Sequence, residues 1–234
     1  MASLTEIDVL ELTGTCLENV TPSALARLLT GSRRFEVRAG AAVFPLTDAS
    51  AHIGIVLMGT ARAFVTAAGG RQLTVRYARR GALIGKYSPL SGDHAPLAVQ
   101  AVSDCTILEF AQDVFTMCAA TEISLSSAVV VELAQRLEDV YATVGDSAFG
   151  SVRQRLARHL LALATVGTLA PYHVAKVSQR QLADAIGSSR EVVARAMAEL
   201  RLDGLIRTGH RGIELLSVER LVASLNQWRK ESPY

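Results

Sequence analysis

The stretch from Lys176 to Leu216, KVSQRQLADAIGSSREVVARAMAELRLDGLIRTGHRGIELL, concentrates side chains suited to reading hydrogen-bond patterns. Arg190 and Glu191 are adjacent, and Arg195 follows Glu191 by four positions. On a helix this spacing places Glu191 and Arg195 on one face, with Arg190 beside them at the N-terminal end. Arginine can donate two hydrogen bonds to guanine O6 and N7, and a carboxylate can accept one from cytosine N4. The carboxylate would also orient the neighbouring guanidinium. On an ordinary surface helix the same residues make only an exposed ion pair worth a few tenths of a kcal/mol. The surrounding elements decide between the two.

Those elements have a definite grammar. Ser178-Gln179-Arg180-Gln181 has the S-x-x-Q form of a capping box, and Leu182, Ala185 and Ile186 then give a short helix an inward face. Gly187 permits a tight turn. Ser188-Ser189-Arg190-Glu191 has the S-x-x-E form and is expected to open a second helix in the same way. Val193, Ala196, Met197 and Leu200 would form its buried side. Leu205 and Ile206 start a strand, Gly209-His210-Arg211-Gly212 turns, and Ile213 to Leu216 returns. Helix, tight turn, helix and hairpin make a winged helix-turn-helix. Residues 150–234 hold 13 Lys and Arg against 7 Asp and Glu, whereas the rest holds 11 against 15. A basic C-terminal third on an acidic body points to an anionic partner for that third.

Upstream, the periodicity changes twice. Thr21-Pro22 reads as a cap with proline at the first helical position, ahead of Leu25, Leu28 and Leu29. From Phe35 the period is two. Ala61–Thr66 and Gln72–Tyr77 alternate on either side of Ala68-Gly69-Gly70, a hairpin with a glycine-rich turn. The last strand is expected at Cys105–Phe110. Several short strands of this kind suggest a sandwich or jelly roll. A long helix follows, with Leu125, Val129, Leu133, Leu137, Val140 and Val144 as an apolar stripe suited to a dimer helix. Gly145 to Gly150 is expected to break it, and another helix runs from Val152 to about Ala164. The domains predicted are 1–122, a strand domain with N-terminal helices; 123–149, a long dimerisation helix and hinge; and 150–234, the winged helix-turn-helix.

Composition limits the alternatives. The chain has 234 residues, 50% hydrophobic and 20% charged, which excludes a disordered protein. No apolar run approaches the ~18–20 residues of a membrane span. The N-terminal MASLTEIDVLELTG has no basic region followed by an apolar one, so no secretory signal is expected. Cys16, Cys105 and Cys118 are dispersed, which argues for reduced thiols in the cytoplasm and against a structural zinc site or disulfide framework. Without H-x-H or H-x₃₋₅-H pairs, an enzyme built on the strand domain lacks metal ligands.

The whole chain resembles the cyclic-AMP receptor protein and fumarate-nitrate reductase regulator (CRP/FNR) family of bacterial transcription regulators. GSSREVVAR, Gly187 to Arg195, looks like the recognition-helix signature of the cyclic-AMP receptor branch. The resemblance implies an α+β fold: an N-terminal cyclic-nucleotide-binding-like β-roll, a long dimerisation helix and a C-terminal winged helix-turn-helix. It implies base contacts by Arg190, Glu191 and Arg195, and backbone contacts by Ser178, Gln179, Ser189, His210 and Arg211. It further implies a homodimer on palindromic double-stranded promoter DNA with half-sites similar to TGTGA and TCACA, and contact with RNA polymerase. The family mechanism is a hinge rotation, here around Gly145 to Ser151.

The sensor departs from the family at its ligand site. Cyclic-nucleotide pockets of the family carry a G-E-L turn and then an Arg-Ser or Arg-Thr pair. In GALIGKYSPLSGDHAPLAV, Lys86 stands in place of the glutamate, and Ala95-Pro96 in place of the arginine pair. Val140 and Tyr141 fall where a base-contacting polar pair would lie. A phosphate without its cation and a ribose without its acceptor argue against conventional cyclic-AMP binding. Gly85, Lys86, Tyr87, His94, Ala95, Pro96, Val140 and Tyr141 are the residues of this altered pocket. Clustered cysteine ligands for an iron–sulfur centre are missing. Haem needs only one or two axial ligands, which His52, His94, His159, His173 or His210 could supply. The expectation is a regulator answering to another effector (haem or gas, redox, a small metabolite) or a DNA-binding dimer independent of ligand.

Overall fold

A computed structural model describes residues 11–44, 53–85, 97–166, 173–210 and 212–225. The chain forms two compact units, one of residues 1–65 and 75–139 and the other of residues 66–74 and 140–234.

In the first unit, α1 (Pro22–Leu28) begins where the Thr21 hydroxyl accepts from the Ala24 N–H, with proline in the first turn. Seven strands follow: β1 (Arg33–Val37), β2 (Ile53–Met58), β3 (Thr60–Thr66), β4 (Gln72–Arg79), β5 (Leu83–Gly85), β6 (Leu97–Ala101) and β7 (Cys105–Phe110). They make a four-stranded sheet ordered β1-β7-β2-β5 and a three-stranded sheet ordered β4-β3-β6. Strand β2 is buried on both faces: Ile53, Ile55 and Leu57 join the helix-side core, while Val56 joins the core between the sheets. Helix α2 (Gln112–Thr121) sends Phe115 and Cys118 into the helix-side core, beside Leu25 and Leu28 of α1. The expected hairpin and the strand at Cys105–Phe110 are both present.

Helix α3 (Ile123–Phe149) is one unbroken helix of 27 residues. The break expected over Gly145 to Gly150 comes at the far end of that stretch: the helix passes through Gly145 and stops at Gly150, whose N–H bonds the Asp146 carbonyl at 3.0 Å. A single glycine inside a helix costs only about 1 kcal/mol.

In the second unit, α4 (Val152–Leu163) opens with a capping box between Ser151 and Gln154. Leu156 and Leu160 of α4 centre a core shared with Leu182, Val193, Met197, Ile213 and Leu221. The remaining elements are β8 (Ala164–Val166), β9 (His173–Ala175), α5 (Gln179–Ala185), α6 (Arg190–Leu202), β10 (Ile206–Gly209), β11 (Gly212–Leu215) and α7 (Val218–Leu225). The expected wing, β10 and β11, is the edge of a four-stranded sheet ordered β10-β11-β9-β8. β8 and β9 have three residues each, too few for a readable alternation.

Candidate nucleic-acid interface and sensor

The second unit places α5 and α6 as a helix-turn-helix whose caps and turn are local. At the start of α5 the Ser178 hydroxyl accepts from the Gln181 N–H at 3.2 Å, and Gln181 Oε1 accepts from the Ser178 N–H at 2.9 Å. This is the expected capping box, of a kind worth about 1 kcal/mol. Gly187, at φ +64°, makes the turn. An L side chain there would occupy the strained left-handed region.

The start of α6 differs by one residue from expectation. Ser189, not Ser188, is the cap, and its hydroxyl accepts from the Val192 N–H at 3.4 Å. Glu191 therefore lies in the first turn rather than at the reciprocal position of a box. Its carboxyl is held below the usual carboxylate range, first by its own backbone N–H, then by the Ser189 hydroxyl, with a smaller contribution from Arg190. Glu191 is thus turned toward the helix start, and the expected ion pair with Arg195 is not formed. Arg195 is exposed and makes no ion pair among the described residues. Across the helix, Val193, Ala196, Met197 and Leu200 are buried. At about 100° per residue, Glu191, Ala194, Arg195, Ala198 and Leu202 fall on the opposite, solvent side, with Arg190 at its leading edge.

Around this face Ser178, Gln179, Ser189 and His210 are all exposed, and Arg211 lies outside the described residues. Lys176 and Arg180, passed over as contacts in the sequence, are exposed near the start of α5. The charge count was their only signal. Arg207 in the wing is tied to Glu214 at 2.6 Å.

The sensor residues are not brought together as a described site. Gly85 is buried at the end of β5, while Lys86, Tyr87, His94, Ala95 and Pro96 lie outside the described residues. Val140 is half-buried and Tyr141 is 66% exposed. What sequence reasoning missed is a polar network joining strands to α3. Arg76 Nη2 of β4 lies 2.7 Å from Glu132 Oε1, and Arg76 Nε lies 3.3 Å from Asp139 Oδ2. Arg136 Nη2 donates to the Leu83 carbonyl at 2.7 Å. The Cys16 thiol is pushed up to about 12, chiefly by burial and then by the charge of Glu132. Burial also raises the Cys105 thiol. His52 and His94 lie outside the described residues, which hold no group of three or more His, Cys, Asp and Glu side chains able to share a metal.

Helix α3 divides its apolar residues between two faces. Leu125 is wholly buried in the strand-domain core and Val129 packs against that core, so these two members of the expected stripe face inward. Val140 lies at the flank, while Leu133, Leu137 and Val144 are exposed. The exposed seam is Ile123, Ser127, Val130, Ala134, Leu137, Tyr141, Val144 and Ala148, every member solvent-facing. Its spacings alternate between four and three, the pattern of a coiled-coil seam.

No single helix among the described residues is long and apolar enough to cross a membrane. Residues 34–122 match the cyclic nucleotide-binding domain family, and residues 154–224 match the Crp-like helix-turn-helix domain family. The chain is 28% identical over 177 residues to the cyclic AMP receptor protein of Thermus thermophilus, covering 75% of this chain and 80% of that one. It is 24% identical over 210 residues to the CRP-like cAMP-activated global transcriptional regulator of Mycobacterium tuberculosis, covering 87% and 93%. Among solved structures, the c-di-GMP responsive global regulator CLP of Xanthomonas campestris superposes with a TM-score of 0.71 at 22% identity, covering 84% of this chain and 100% of that one. A cyclic nucleotide-binding domain, a long helix and a helix-turn-helix define a transcription regulator with a DNA-binding domain. The chain belongs to the CRP/FNR family.

Proposed function

We propose that the protein is a cytoplasmic homodimer that reads a TGTGA-like palindrome through Arg190, Glu191 and Arg195, and that it has no enzymatic role. The observation that carries the reading is the solvent side of α6: an exposed Arg195 and an ionised Glu191 on a helix whose other side is locked into a core. Gln179, Ser189 and His210, with Lys176, Arg180 and Arg211, would meet phosphates. Ser178 would contribute through the helix start it caps. The seam on α3 supports pairing of two copies. Such pairing would set two recognition helices about one DNA turn apart. By function the chain divides at 1–122, 123–149 and 150–234. On promoter DNA the dimer contacts RNA polymerase.

The sensor is not governed by cyclic AMP in the conventional way. Lys86 and Ala95-Pro96 remove the ribose acceptor and the phosphate clamp that the resemblance implies. Another effector, or none, then sets DNA affinity. The test is binding of purified protein to a duplex carrying TGTGA and TCACA half-sites, with and without cyclic AMP, beside a scrambled duplex at fixed salt. Specific binding without nucleotide supports the whole reading. Specific binding only with cyclic AMP overturns the account of the pocket. Equal affinity for both duplexes overturns the assigned operator.

A further inference from the structure

Helix α4 carries three arginines: Arg153 pairs with Asp203 at the end of α6, and Arg155 and Arg158, three residues apart, each reach a different neighbour. Arg158 Nη2 donates to Asp146 Oδ1 at 3.0 Å, and its Nε pairs with the other oxygen of the same carboxylate. Asp146 belongs to the last turns of α3, and its side chain is only 6% exposed. Arg155 Nη1 donates to the Ile186 carbonyl at 3.2 Å. Ile186 closes α5 and immediately precedes Gly187. The Arg155 head group is thus spent on the end of the first helix of the helix-turn-helix, where orphan carbonyls need donors.

The corner between α3 and α4 is built with little slack. A Cβ on Gly150 would lie 2.6 Å from the Asp146 carbonyl oxygen, so only glycine allows this approach. The Ser151 cap follows at once, and Gln154 Nε2 donates to the Ser224 carbonyl of α7 at 3.2 Å. A nearly buried carboxylate held by two contacts is not easily given up, because a lone charge there is strongly destabilising.

We infer that Asp146, Arg158 and Arg155 are positioning residues for DNA reading. Asp146 fixes α4 through Arg158. In turn, α4 fixes the end of α5 through Arg155. The end of α5 fixes the Gly187-Ser188 turn, and that turn sets where α6 begins and where Arg190 and Glu191 stand. The inference rests on those two residues reading bases, but its test does not.

The test is amide hydrogen exchange on the full-length protein without DNA, comparing wild type with Asp146→Asn and Arg155→Gln. With the relay in place, Asp146→Asn speeds exchange at residues 146–158 and also at 187–193, by about fivefold or more. Arg155→Gln speeds exchange at 187–193 alone. Amides of the β10–β11 ladder stay as in wild type in both variants, which separates the relay from general loosening. Acceleration by Asp146→Asn confined to 146–158 overturns the relay, as does wild-type protection of 187–193 in Arg155→Gln. Should Asp146→Asn not fold, Arg155→Gln decides alone. A parallel titration of wild type with the palindromic duplex reports on base reading separately. Its failure would remove that reading and leave the exchange result standing.

Discussion

Arg76 on β4 and Glu132 on α3 meet at 2.7 Å with side chains only 10% and 5% exposed. The sheet and the long helix are joined there by an ion pair almost out of reach of water. Such a pair adds little over an apolar pair of similar volume, yet removing one member leaves an uncompensated buried charge. Asp139, 53% exposed at 3.3 Å from Arg76 Nε, is too solvated to replace Glu132.

Glu132→Gln is therefore expected to cost about 3–5 kcal/mol of stability, while the double variant Arg76→Met/Glu132→Leu stays near wild type. Chemical unfolding of the three proteins measures this. A loss below about 1 kcal/mol for Glu132→Gln would show that the buried pair is not what holds the strand to the helix.

The Cys16 thiol gives a pH signature. Folding raises its pKa from 9.0 to about 12, through burial first and the Glu132 charge second. Between those values the folded chain keeps a proton that the unfolded chain has lost. The associated stability is complete below pH 9 and declines as pH rises toward 12. Cys105 shifts in the same direction. Cys16→Ala should flatten the alkaline decline without removing it, and wild-type Cys16 should resist iodoacetamide at pH 8, where almost no thiolate forms. Rapid alkylation of Cys16 in folded protein would contradict this.

On DNA, Arg195→Ala should lose about 1–3 kcal/mol for the specific duplex and little for a scrambled one. Arg180→Ala should weaken both alike and lower the salt slope by about 1, as expected of a phosphate contact. Affinities measured at several salt concentrations separate the two behaviours. Equal losses on both duplexes for Arg195→Ala would assign it to the backbone.

The sequence disclosed what is local and concealed what is distant. The Ser178–Gln181 box spans four residues and carries its own geometry, so it was legible, as was the inward face Val193, Met197 and Leu200 of α6. Two consecutive serines blurred the next cap, and only the fold shows Ser189 accepting from Val192. Arg76 and Glu132 lie 56 positions apart, and no periodicity connects them. The long helix is the instructive case. It carries apolar residues on two sides, so a stripe through Leu125, Val129 and Leu137 looks continuous, yet the strand-domain core claims the first two. Which side remains free is decided by the strands it packs on, not by the helix pattern.

That division makes the dimer proposal testable at single residues. On the exposed seam, Ile123, Val130, Leu137 and Val144 alternate with the smaller Ser127, Ala134 and Ala148 and with Tyr141. Two copies pairing along it would bury each large side chain, worth about 1.5–3 kcal/mol apiece when fully covered. Leu137→Asp places a charge in that seam while touching no core residue. It should yield a folded monomer by light scattering, with the wild-type unfolding midpoint at low protein concentration and weakened binding to the palindrome. Leu125→Asp, by contrast, buries its charge in the strand-domain core and should unfold that unit rather than dissociate it. A Leu137→Asp protein that remained a dimer would show that the exposed seam is not where two copies meet.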